Sequence, residues 1–131
     1  MPQEVRAVVA LAEGEPVGDD LRARARRACW VTRRYARLYP VGQPRAQLWN
    51  GLYAWLQGKR GVARRAWSKS LAYAQRLVMP YEEGLAHYEI GRHLDPSDPA
   101  RREHLTRACE IFTNLNAAFD LERAQKLVEN H

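Results

Sequence analysis

Residues 51–58, GLYAWLQG, return 33 positions later as residues 84–91, GLAHYEIG. Four positions carry the echo: Gly51 with Gly84, Leu52 with Leu85, Trp55 with Tyr88, and Gly58 with Gly91. Behind each copy stands a second helical pattern with a small residue four before an aromatic, Ala63-x3-Trp67 and Ala108-x3-Phe112. A helix pair that recurs with a period of about 34 residues predicts an α-solenoid. Such a pair cannot bury its apolar face alone, so stacked neighbours supply the core and the stack supplies a binding surface. The copies are unequal. Four residues separate Gly58 from Ala63, and sixteen separate Gly91 from Ala108. A longer first helix in the second pair, followed by an inserted corner at DPSDP, is the expected source of the excess.

Proline and glycine divide the rest of the chain. A short helix is expected over about residues 3–12, with Val5, Val8, Val9 and Leu11 as its apolar side. Asp19 or Asp20 suits the cap of a long helix from about 20 to 38, striped by Leu21, Ala25, Ala28, Thr32 and Tyr35. Tyr39-Pro40 stops it, because the residue before proline avoids the α region. Pro44 fits the first turn of the next helix, which runs to about Leu56 and closes on Gly58 in a left-handed cap. Ala63, Ala66, Trp67, Ser70, Ala74 and Leu77 mark one face of a helix over about 61–78, opposite Arg64, Arg65, Lys69 and Arg76. Pro80 starts another over about 80–94, with Glu82 and Glu83 in the turn where the helix dipole favours acids. Asp98 caps a helix over about 99–115, striped by Leu105, Ala108, Cys109, Phe112 and Leu115. Asn116 takes the left-handed position, and a last helix follows over about 118–129. The expected fold class is all-α, a right-handed solenoid of antiparallel helix pairs with six to seven helices. It forms a single domain over 1–131, with 1–19 as N-terminal helix and linker and 20–131 as helical repeats.

The bulk composition excludes several function classes. No apolar run approaches the roughly 18 to 20 residues of a membrane span. The first residues, MPQEVRAVVALAEGE, are too short and too acidic for a secretory signal, so a cytoplasmic location is expected. Cys29 and Cys109 have no C-x-x-C spacing and read as two reduced, partly buried thiols. Net charge is +6, and its distribution is uneven. Residues 20–78 hold 14 Lys and Arg against one acid, Asp20, whereas 79–131 carry −4 and 1–19 carry −3. A basic middle between acidic flanks argues for a charged partner, or for an acidic surface elsewhere in a longer parent protein.

Parts of the pattern resemble the tetratricopeptide repeat, W-x2-L-G-x2-Y, then A-x3-F, then P. Gly51, Ala63 and Trp67 take its first glycine, its alanine and its second-helix aromatic, while Gln47, Asn50 and Ala54 stand where Trp, Leu and Tyr would. A broader likeness runs from about residue 20 to the C-terminus. It is carried by YPVGQPRAQLWNGLYAWLQG, RRAWSKSLAYAQRL, MPYEEGLAHYEIGRHL and DPARREHLTRACEIFTNLNAAFDLERA. These strings resemble the C-terminal helical region of large bacterial signalling ATPases. Members of that family are multidomain, are often fused to nucleotide-cyclase or protein-kinase domains, and end in degenerate tetratricopeptide-like repeats. The resemblance implies a TPR-like solenoid with an interaction and regulatory role. The chain has no G-x-x-x-x-G-K-[ST] phosphate loop and no kinase motif, so the resemblance places the enzymatic parts outside it.

Candidate sites are few. His87, His93 and His104 with Glu89 and Glu103 form the one grouping with metal-ligand residue types. Glu89 and His93 share a helical face, but two ligands do not close a zinc site and H-E-x-x-H is absent, so hydrogen-bonded histidines are expected. Glu82 and Glu83 read as helix-start charges rather than an acid–base pair. No Ser or Cys sits in a nucleophile elbow. Neither a cofactor nor an enzymatic role is expected. Leu48, Leu52, Trp55, Ala63, Trp67, Leu85, Tyr88, Ala108 and Phe112 are the expected core of the stack. Trp49, Tyr53 and Leu56 lie on one side of the same helix with Leu48, Leu52 and Trp55 beside them, and core packing is the expected role of most; the alternative is that Trp49 or Tyr53 lines a concave groove, since the first helices of such pairs face it.

The basic stretch keeps three readings: a solvated arginine face, a surface for a protein partner with acidic patches, and phosphate binding. Nucleic acid ranks last, because the charge spreads over two helices and their loops without a nucleic-acid-binding motif. Partner contact is assigned to Arg22, Arg26, Arg33, Arg60, Arg64 and Arg65, with Trp49 and Tyr53. The expected function is a protein–protein interaction or regulatory scaffold domain, within a signalling ATPase. Sequence-independent nucleic-acid binding through residues 22–76 is the alternative.

Overall fold

The computed structural model describes residues 19–38 and 40–129. The helix expected over 3–12 lies outside them. Every regular element among the described residues is helical: α1 (Asp19–Leu38), a 3-10 turn (Pro40–Gly42), α2 (Gln43–Leu56), α3 (Arg60–Arg76), α4 (Pro80–Arg92), α5 (Pro99–Asn114) and α6 (Ala118–Glu129). Among the described residues six α-helices joined by short links form an all-α arrangement, as the patterning implies. The chain divides into two compact units, one ending at Ala66 and the other beginning at Trp67, so α3 contributes to both.

Three of the links share one backbone form. After α2, Gly58 adopts φ +79°, the Lys59 N–H donates to Ala54 O at 2.9 Å, and the Gly58 N–H donates to Trp55 O at 3.0 Å. This paired bonding is the Schellman cap, which satisfies carbonyls a helix end leaves open. After α5, Asn116 repeats it at φ +55°, with Ala117 N–H donating to Phe112 O at 2.9 Å. After α3, Val78 does so at φ +53°, with Met79 N–H donating to Ala74 O at 2.9 Å. A β-branched residue is a costly occupant of the left-handed region, and Val78 is also exposed. In each case the next helix begins two residues later.

The α4–α5 link is built differently. Asp98 caps α5 by accepting from the Ala100 N–H at 2.9 Å, and Pro99 occupies the first turn. Asp95 accepts from both the N–H and the hydroxyl of Ser97, and these bonds hold its carboxyl below the usual range. Arg101, buried in α5, donates Nη1 to Gly91 O, Arg92 O and Leu94 O at 3.1, 2.9 and 3.2 Å. A guanidinium thus closes the C-terminal end of α4, where a cation also complements the helix dipole.

In the first unit α1 packs on α2. Ala25, Ala28 and Cys29 are buried on α1, and Ala46, Leu48, Leu52 and Ala54 on α2. The small α1 side chains permit close approach, and the Cys29 thiol donates to Trp49 O at 3.4 Å. Burial pushes that thiol up to about 11. Both cysteines are free.

In the second unit α4 packs on α5 and α5 on α6. Tyr88, Leu105, Ala108, Phe112 and Ala124 form the core, ringed by half-buried residues that include Tyr81, Leu85, Leu121 and Leu127. A Cβ on Gly84 would lie 2.7 Å from Phe112 Cε1, and one on Gly91 would lie 2.8 Å from Leu105 Cγ. Both glycines therefore mark the closest approach of α4 to α5. Gly84→Ala is expected to cost about 1–3 kcal/mol by overpacking, against about 1 kcal/mol that alanine gains as a helix former. Urea unfolding checks this, and a stabilised variant would mean that the Phe112 ring yields.

Several sequence expectations change. Gly58 and Gly91 are echoes in sequence but not in role, one supplying a positive φ and the other the absence of a side chain. The second pair has no longer first helix: α4 has 13 residues and α2 has 14. The excess falls in the 93–98 link and within α5, where Ala108 is the tenth residue whereas Ala63 is the fourth of α3. Leu115, placed on a buried stripe, is exposed at the end of α5. Trp55 and Leu85 are half-buried rather than core.

Candidate interaction surface

All eight residues assigned to partner contact belong to the first unit. The structure brings Arg22, Arg26 and Arg33 together on α1, where all three are exposed. Trp49 and Tyr53 sit half-buried on α2, and Arg60, Arg64 and Arg65 are exposed on the first two turns of α3.

On α1 the burial of Ala25, Ala28 and Cys29 fixes which side meets α2. The remaining circumference carries arginine almost throughout, with Trp30 and Val31 set among it at 50% and 51% exposure. The Arg34 guanidinium lies over the Trp30 ring, 5.6 Å from its centroid. Sequence reasoning had not singled out Trp30 or Val31. The signal was present, since a stripe through 25, 28 and 32 leaves position 30 on the opposite side of a 3.6-residue helix.

α3 begins against the electrostatic preference of helices. Its first turn has no acid, and Arg60 opens it where the dipole favours negative charge. The misplacement costs about 0.3–1 kcal/mol. Arg60 is offset in part by stacking on Trp55, with its guanidinium 5.0 Å from the ring centroid.

The histidine grouping resolves into structural bonds. His87 and His104 face each other across α4 and α5 with their Nδ1 atoms 3.0 Å apart. The His87 Nε2 lies 3.6 Å from Glu83, which also approaches Arg107 at 3.8 Å. Burial, then the neighbouring His104, lowers the His87 pKa, and burial lowers that of His104. His93 donates Nδ1–H to Glu89 O at 2.8 Å and stacks on Trp67 with centroids 4.5 Å apart. Glu89 accepts from Arg92 Nε at 2.8 Å. Glu103 is exposed, and its charge acts on His104 against the lowering by burial. Among the described residues, no three His, Cys, Asp or Glu side chains gather as a metal site. Glu82 and Glu83 occupy the first turn of α4. No helix among the described residues is long and apolar enough to cross a membrane.

Comparison of the chain with family models, with curated proteins and with solved structures found no match.

Proposed function

We propose that this chain is a protein–protein interaction domain, a tetratricopeptide-like α-solenoid acting as a regulatory scaffold within a cytoplasmic bacterial signalling ATPase. The observation that carries the binding role is the arginine-rich exterior of the first unit, with Trp30 and Val31 left exposed on α1. Apolar groups set among guanidinium forks suit a protein surface that offers both carboxylates and side-chain contact. The residues of the metal-ligand grouping bond to one another and to neighbouring side chains. Glu89 is engaged by Arg92 and His93, and His87 by His104 and Glu83. The assignment to a signalling ATPase rests on the sequence resemblance alone.

The basic charge keeps nucleic acid as the second reading, and salt separates the two. Fluorescent 20-mers of DNA and RNA titrated at 50 mM salt are expected to show no saturable binding. A phosphate binder with 6–10 contacts would bind at 50 mM and lose about 10³–10⁵ in affinity by 200 mM. That outcome would replace the protein-binding reading.

A further inference from the structure

We infer that the exposed side of α1 docks an acidic amphipathic helix of a partner protein, an inference that rests on the protein-binding reading above and names the partner's chemistry. Arg22, Arg26, Trp30 and Arg34 follow one another at intervals of four residues, so they form one ridge with steps of about 6 Å. Val31 follows Trp30 about 100° further round the helix, and Arg33 flanks the ridge on the other side. Trp30 supplies an apolar step on the ridge, about half exposed, between guanidinium groups, and Val31 widens the apolar surface to one side of it. Among the described α1 side chains the one exposed acid is Asp20, in the first turn of the helix.

The ridge dictates what fits it. Carboxylates four residues apart on a helix repeat at the same interval of about 6 Å, and an apolar residue between them meets the Trp30 step. Two helices packed through their i±4 ridges adopt the commonest crossing in globular proteins. Arginine binds carboxylate through paired N–H donors, which fixes register as well as adding energy. A helix in this arrangement buries an aromatic anchor inside a charged rim, the usual distribution of binding energy at an interface.

The same geometry disfavours a single-stranded nucleic acid. Arg34 already covers one face of Trp30 at 5.6 Å, which leaves a stacking base only the other. Val31 is aliphatic and offers a base no stacking surface. Charge alone would accept phosphate. The apolar step selects a partner that carries aliphatic side chains between its charges.

The test uses the full chain and three fluorescent probes at 50 and 200 mM salt. One is an 18-residue helical peptide with Glu and Leu along one side. The second has the same composition scrambled around the helix, and the third is a 15-residue oligothymidylate. The amphipathic peptide is expected to bind at least 10-fold more tightly than its scrambled form. Trp30→Ala and Arg26→Glu should each weaken it at least 10-fold while leaving the circular dichroism and Tm unchanged, since both side chains are exposed. Equal affinity for the two peptides, no binding of either, or an unaffected Trp30→Ala variant overturns the α1 surface. Binding retained in Trp30→Ala but lost in Trp49→Ala or Tyr53→Ala also overturns it, while leaving the protein-binding reading standing. Oligothymidylate bound more tightly than both peptides overturns the two readings together.

Discussion

Trp67→Ala is expected to lower the free energy of unfolding by about 3–5 kcal/mol, the range for deleting a buried aromatic. Trp67 is 0% exposed and is the largest fully buried side chain among the described residues. Its ring stacks on His93 at 4.5 Å and 25°, so truncation removes a hydrophobic group and also uncovers an imidazole. A chain of this size should lose roughly 10–20 °C in Tm. Thermal and urea unfolding of the variant measure both quantities. A loss below about 1 kcal/mol would mean that the ring is not the keystone of its surroundings.

Acid is expected to act on the same place. Burial holds the His93 pKa at about 4, well below the ordinary 6.5, and outweighs the favourable bond to Glu89 O. Arg92 and Arg101 push it further down, Glu89 is the acid that faces it, and Trp67 covers the ring. Between about pH 6.5 and 4 the unfolded chain therefore binds a proton at this residue that the folded chain refuses. Stability rises with pH wherever the unfolded state holds more protons, so the contribution is complete above 6.5 and is lost as pH falls towards 4. A shift of this size corresponds to about 3 kcal/mol. His87 and His104 add in the same direction, since both are lowered. Their Nδ1–Nδ1 bond needs one donor and one acceptor, so it survives one added proton and not two. Urea midpoints at pH 7, 5.5 and 4.5 should fall steeply for the native chain and less steeply for His93→Gln. Parallel slopes for the two proteins would rule out His93 as the source.

The helix boundaries were legible wherever the punctuation was chemical. Pro80 and Pro99 start helices, Asp98 caps one, and Gly58 and Asn116 end others in the left-handed region, each because few residue types tolerate those positions. Val78 was illegible for the converse reason. Nothing about valine announces a positive φ, since a β-branched residue disfavours that region. The glycine echo misled because one residue type serves two needs, and sequence does not distinguish a missing Cβ from a permitted φ. The arginine surface was readable as charge, but the habit of burying tryptophan hid Trp30. The His87–His104 contact depends on the register of α5 against α4, which sequence spacing does not set.

The contrast between the links also governs where the chain tolerates added length. At Gly58, Val78 and Asn116 the cap bonds span the turn and the next helix begins two residues on, so an inserted residue would break a hydrogen-bonded ring. Asp95, Pro96 and Ser97 are exposed, and the bonds an insertion there would break, from the Ser97 N–H and hydroxyl to the Asp95 carboxylate and from the Asp98 N–H to Asp95 O, lie within the link, whereas Arg101 holds the end of α4 and Asp98 the start of α5 without them. A short peptide tag or fluorophore acceptor placed after Pro96 is therefore the insertion this architecture accommodates, and the same corner is where descendants of this chain have room to grow new loops.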